Sequence, residues 1–141
     1  MKVIITDGGR AAAGFKGKTR DCVTRAVALA TDMPYDLIYL AVNQTAATER
    51  WKKGQSPSSA RTGVRIPTIR RFMEKLGWTW TPTMGIGTGC KVHLRDGELP
   101  MGKLVVNVSR HTVAVLDGVI HDTHDCSRNG TRCVYGYWRK A

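Results

Sequence analysis

The eight residues Val113-Ala114-Val115-Leu116-Asp117-Gly118-Val119-Ile120 constrain the fold more than any other stretch of the chain. Two apolar runs flank an Asp-Gly pair, which supplies the positive φ angles of a type I′ turn and so closes a tight antiparallel hairpin. With 117 and 118 as the loop, position 113 lies opposite 122 and position 111 opposite 124. Side chains alternate between faces along a strand, so His111, Val113, Asp122 and His124 are expected on one face, with His111 and Asp122 as diagonal neighbours. A carboxylate beside a histidine fixes its tautomer and stabilises its protonated form, as acid–base chemistry requires.

Further strand-like runs surround the hairpin: Trp78-Thr79-Trp80, Leu104 to Val108, Val119 to Thr123 and Val134 to Trp138. The Gly-rich stretch Met84–Gly89 lacks the strand–helix setting of a nucleotide cradle and reads as a turn. The first half of the chain has a different period. Val23, Ala26, Val27 and Ala30 mark one buried face of a helix starting near Asp21-Cys22, with Thr19 or Asp21 able to cap it. Asp32-Met33-Pro34 reads as the cap of a second helix running through Leu37, Leu40 and Ala41. A third carries Ile69, Phe72, Met73 and Leu76 on one face and stops at Gly77. Helices first and antiparallel strands second describe an α+β domain, N-terminal helices packed on a C-terminal antiparallel sheet, and 141 residues suit a single domain spanning 1–141.

Residues 7–18 are rich in Gly and Ala and read as a loop; residues 52–65 are basic, small and polar and read as an exposed, mobile one near the reactive cleft. No apolar run approaches the ~20 residues that cross a bilayer, and the N-terminus turns polar too early for a signal-peptide core. A cytoplasmic protein with no membrane partner is the resulting expectation. Disulfides are rare in that compartment, so the four cysteines are expected as free thiols or metal ligands.

Among them Cys22 stands out, because it opens an apolar helix. The partial positive charge of a helix N-terminus favours thiolate over thiol, and thiolate is the nucleophilic form. A small buried core residue is the competing reading for any free cysteine. The order of parts bears on this choice. The segments Gly17-Lys18-Thr19-Arg20-Asp21-Cys22-Val23-Thr24-Arg25-Ala26 and His111-Thr112-Val113-Ala114-Val115-Leu116-Asp117-Gly118-Val119-Ile120-His121-Asp122 resemble the papain-like cysteine peptidase superfamily. A cysteine opens a helix, a histidine opens a strand and an acid lies on the next strand; transglutaminase-type and bacteriocin-processing peptidase domains share that order. The whole chain also looks like small uncharacterised proteins of bacterial and phage genomes. The resemblance implies a papain-like fold with Cys22 as nucleophile, His111 as general base and acid, and Asp122 as orienting group. It implies acyl transfer on a peptide or isopeptide bond of a protein substrate, without a cofactor. Papain-like enzymes place an oxyanion-binding glutamine some six residues before the cysteine. Lys16 stands there, and no glutamine occurs in the first 43 residues, leaving Lys16, Thr19 or Asn43 as substitutes.

Two other classes of function compete. His121, His124, Cys126 and Cys133, with Cys90 and His93, could suggest zinc, but they form no paired Cys-x2-Cys or helical His-x3-His, and no metal is expected. The net charge of +11 suits nucleic acid or an acidic protein, bound through Lys52, Lys53, Arg61, Arg65, Arg70 and Arg71, with Trp51, Trp78 and Trp80 for stacking. Burial of those tryptophans would remove the main support for such a binder.

Overall fold

The computed structural model describes residues 1–50 and 52–140. The elements run β1 (Val3–Ile5), α1 (Cys22–Thr31), α2 (Tyr35–Ala46), α3 (Ile66–Lys75), β2 (Trp78–Pro82), β3 (Lys103–Val108), β4 (His111–Leu116), β5 (Val119–Asp122) and β6 (Val134–Lys140). The six strands form one sheet in the order β1-β5-β4-β3-β6-β2. The α+β class is as the sequence pattern implies, but the sheet is mixed rather than antiparallel. β1 pairs in parallel with β5, Ile5 lying beside Asp122. Three residues are too short a run to show a period, and their partner lies more than 110 positions away, so this edge strand left no local signal.

The hairpin register is as the Asp-Gly turn dictates: Leu116 pairs with Val119, Val115 with Ile120 and Ala114 with His121. Asp117 (φ 49°) and Gly118 (φ 76°) both take the left-handed conformation that a type I′ turn demands. β3 pairs with β4 on the other side, joining Val108 to His111.

Each face of the sheet is covered. On one, Val105, Ala114 and Trp138 meet Val23, Ala26, Val27 and Ala30 of α1 and Ile69, Phe72 and Met73 of α3. On the other, Leu104, Val106, Val113, Val115, Ile120 and Val134 pack with Leu94 and Cys126. Leu94 comes from the connection between β2 and β3, which is bonded to the start of β6 through Leu94 N–H to Arg132 O (2.8 Å) and Val134 N–H to Val92 O (2.8 Å). The near-continuous burial of 104–106 and 112–115 follows, since a sheet covered on both faces has no polar side to alternate with.

Cys90 and Cys133 form a disulfide there, with Cα atoms 5.8 Å apart at a sequence separation of 43. This corrects the free-thiol expectation for two of the four cysteines; Cys22 and Cys126 are free. The pairing follows from the isolated bridge between His93 and Cys133, a long-range contact that cysteine spacing does not encode. No helix among the described residues is long and apolar enough to cross a membrane.

Local details around the helices also differ. Asp32 does not cap α2; it ends α1 in the left-handed conformation (φ 55°), which Asp tolerates better than most residues. Pro34 precedes α2, whose buried face is Tyr35, Ile38 and Val42, while Leu37 and Leu40 are exposed. Residues 52–57 are exposed as expected, but 58–65 are anchored rather than free. Ala60 is buried, its N–H donating to Asn43 Oδ1 (2.8 Å) and its carbonyl accepting the Thr24 hydroxyl (2.8 Å).

Candidate functional site

Cys22 is the first residue of α1, and no side chain caps that first turn. Asp21 is spent elsewhere: one carboxylate oxygen accepts from Arg25 Nη1 (2.7 Å), the other from the Tyr35 hydroxyl (2.7 Å). Thr19 is no cap either, since its hydroxyl donates to Arg61 O (2.9 Å). The uncapped amides leave the positive end of the helix acting on the Cys22 thiol.

His111 opens β4 and Asp122 closes β5, and the hairpin register sets them together. His111 Nε2 and Asp122 Oδ2 are 2.6 Å apart. The second oxygen of Asp122 accepts from Arg25 Nη2 (3.0 Å) and from the Thr123 amide (2.7 Å). Asp122 is only 1% exposed, so its carboxylate is a buried, fully engaged group. Burial alone would raise its pKa, but the hydrogen bond and charge of His111, the Thr123 amide and the Cys126 thiol together hold it below the ordinary carboxylate range.

The same histidine meets Cys22. Burial opposes protonation of His111, yet hydrogen bonds to Asp122, Cys126 and Cys22 outweigh it and raise its pKa to about 11. Burial likewise opposes ionisation of Cys22, and is outweighed by the hydrogen bond and charge of His111, the Thr112 amide and the nearby Arg25 cation, so its pKa is lowered. These opposite shifts both favour the thiolate–imidazolium form, the charge state in which a cysteine is nucleophilic and its neighbour can donate a proton.

Arg25 closes this network from below. Its guanidinium is 8% exposed and bridges Asp21 to Asp122, residues 101 positions apart in sequence. Gly8 allows that burial: its φ is +72°, and a Cβ there would sit 2.7 Å from Arg25 Cγ. The 7–18 loop thus folds down onto α1, with Phe15 against Tyr35 and Tyr39 at ring separations of 5.3 and 4.5 Å. Arg25 was not singled out from the sequence, and Cys126 was considered there only as a zinc ligand. Arg25 had a signal, its i,i+4 spacing from Asp21, whereas Cys126, 2% exposed, reaches His111 and Asp122 from an irregular segment with none.

The residues expected as oxyanion substitutes are bonded elsewhere. The Lys16 side chain is exposed and its carbonyl accepts from Arg10 and Arg61, Thr19 is bonded to Arg61, and Asn43 holds Ala60. The basic residues separate into two kinds. Lys52, Lys53 and Arg70 are exposed, while Arg61 bonds the Lys16 and Lys18 carbonyls, Arg65 bonds Ser56 O and Gln55, and Arg71 bonds Thr48. Trp78 is buried and Trp80 is half-buried against Trp138 (5.3 Å), so neither offers a free stacking surface; Trp51 lies outside the described residues.

His111, Asp122 and His124 place one potential ligand atom each within 4.8 Å of one another. A cation there would have to break the His111–Asp122 hydrogen bond and share the carboxylate with Arg25, so the proton already fills that role. Cys90 and Cys133 are unavailable to zinc because they are bonded to each other, and the His93 ring faces Glu98 (3.2 Å). Comparison with family models, with curated proteins and with solved structures finds no match.

Proposed function

We propose that the chain is a papain-like thiol acyl-transfer enzyme that cleaves a peptide or isopeptide bond with Cys22, His111 and Asp122. The observation that carries this reading is the His111 imidazole held by Asp122 at 2.6 Å, beside a thiol at a helix N-terminus whose pKa that histidine lowers. The Cys22 thiolate attacks the substrate carbonyl carbon, and the carbonyl electron pair moves onto oxygen. The uncapped Cys22 amide stabilises that oxyanion. His111 then passes its proton to the leaving amine as the tetrahedral species collapses to a thioester. Water, or a second amine, gives a proton back to His111 as it attacks the thioester, and the thiolate is restored.

Asp122 holds the imidazole through Nε2, leaving Nδ1 for the proton traffic, and Arg25 holds Asp122. Cys22 is preferred to Cys126 as the nucleophile because it is half-exposed at a helix start, whereas Cys126 is enclosed in the second core cluster. With one backbone donor and the candidate side-chain donors Thr19 and Asn43 bonded elsewhere, turnover is expected to be slow, by about 10²–10³ relative to a two-donor site. The test is covalent: an activated acyl ester should add one acyl mass to the protein, mapped to the Cys22 peptide. An adduct on Cys126 instead would overturn the assignment.

A further inference from the structure

We propose that the basic cleft walled by the segment preceding Cys22 binds an acidic peptide segment; the proposal rests on the acyl-transfer reading and names its substrate class. The cleft has a volume of about 920 Å³ and is lined by residues 18–20, 56–57 and 62–65. Its cations are Lys18, Arg20 and Arg65, and its lining contains no carboxylate. Arg20 stands two residues before Cys22, so one wall of the cleft is the segment that leads into the nucleophile. A second groove of about 640 Å³, lined by residues 48–50, 52, 55, 65–68 and 71, shares Arg65 and adds Arg50, Lys52 and Arg71. The two make one basic track along which an extended chain can lie.

Within the lining of this track only Glu49 offsets the charge, through its attraction to Arg65. None of these six cations makes an ion pair among the described residues. The one acid in the second groove, Glu49, is already hydrogen-bonded by the Ser58 amide at 2.9 Å and by the Ser58 and Thr68 hydroxyls. The walls are also set in place before any ligand arrives. Arg61 donates to the Lys16 and Lys18 carbonyls, and its own carbonyl accepts the Arg20 amide (2.7 Å), tying the two sides together. A preformed cleft with an excess of cations attracts carboxylates and loses little freedom on binding them.

Peptide is favoured over single-stranded nucleic acid on two grounds. Neither the buried Trp78 nor the half-buried Trp80 is among the lining of either groove, so neither gives bases a stacking platform there. The acyl-transfer reading also requires a carbonyl carbon, which a peptide supplies along its whole length.

Fluorescence anisotropy of a labelled Glu-Gly repeat peptide, titrated with the full-length Cys22→Ala protein, tests this without requiring any chemistry. The Glu peptide should bind at least ~10-fold more tightly than its Gln-Gly counterpart at low salt, and the difference should shrink as salt screens it. Arg20→Glu/Arg65→Glu should weaken Glu-peptide binding at least ~10-fold, while Lys2→Glu/Lys103→Glu, the same charge change away from both grooves, should alter it less than ~3-fold. Equal binding of the Glu and Gln peptides would overturn the proposal. So would equal losses in the two reversal variants, or tighter binding of a single-stranded oligonucleotide than of the Glu peptide. Failure of Cys22 to form an acyl adduct would instead defeat the catalytic reading and leave the binding result standing.

Discussion

Replacing Arg25 with methionine removes the cation between Asp21 and Asp122 while keeping a side chain of similar length. Two charge-assisted hydrogen bonds disappear, at 2.7 and 3.0 Å, and two carboxylates that are 2% and 1% exposed lose their buried counter-ion. Asp21 keeps Tyr35, and Asp122 keeps His111 and the Thr123 amide, so neither is wholly orphaned. Removing one partner of a buried ion pair costs about 3–5 kcal/mol, a large part of the 5–15 kcal/mol that stabilises a typical domain. Urea unfolding followed by circular dichroism should therefore show the midpoint falling at unchanged slope, and the melting temperature should drop by about 10–15 °C. A double-mutant cycle with Asp122→Asn separates this pair from general damage: the double variant should lose less than the sum of the singles by about 0.5–3 kcal/mol. A loss below about 1 kcal/mol for Arg25→Met, or strict additivity in the cycle, would refute the bridging role assigned to Arg25.

Two more predictions concern the thiols. Cys22 should react with limiting iodoacetamide ahead of Cys126, with a half-maximal rate below the pH at which an ordinary thiol ionises, and Asp122→Asn should move that midpoint up; an unshifted wild-type midpoint near pH 9 would contradict the thiolate–imidazolium pair. The sign for stability is opposite for the histidine: folded His111 keeps its proton to about pH 11, whereas the unfolded side chain releases it near 6.5, so its contribution is complete below 6.5 and is lost as pH rises towards 11. Cys90→Ser/Cys133→Ser should lower unfolding free energy by about 2–4 kcal/mol without changing Cys22 reactivity, because the disulfide closes its loop on the connection that packs against the other face of the sheet; a change in Cys22 alkylation rate would show the two regions to be coupled.

How far the sequence could be read depended on the range of each signal. The Asp117-Gly118 turn is local, and from it the pairing of 114 with 121, and the meeting of His111 with Asp122, followed by counting. The apolar period of Val23, Ala26, Val27 and Ala30 located α1 and put Cys22 at its start for the same reason. Features that depend on partners far along the chain were not legible. β1 is three residues whose only argument is β5; Cys90 and Cys133 meet through a bridge between two irregular segments; and Asp21 looked like a cap until Arg25 and Tyr35 claimed its oxygens. The 52–65 segment misled through composition. Its small polar residues suit solvent, but Ser58 and Ala60 satisfy Glu49, Asn43 and Thr24, so the segment is fastened at its C-terminal half.

The acyl-transfer account is tested most directly by the rate at which an activated acyl ester modifies the protein, followed by intact mass and peptide mapping. The wild type should gain a single acyl group on Cys22, removed by hydroxylamine as a thioester is. Cys22→Ala should gain none, and His111→Ala should acylate at least ~100-fold more slowly at neutral pH because its thiol loses the partner that ionises it. Retention of the acyl adduct in Cys22→Ala, or equal rates with and without His111, would contradict the assignment of Cys22, His111 and Asp122 as one reactive set.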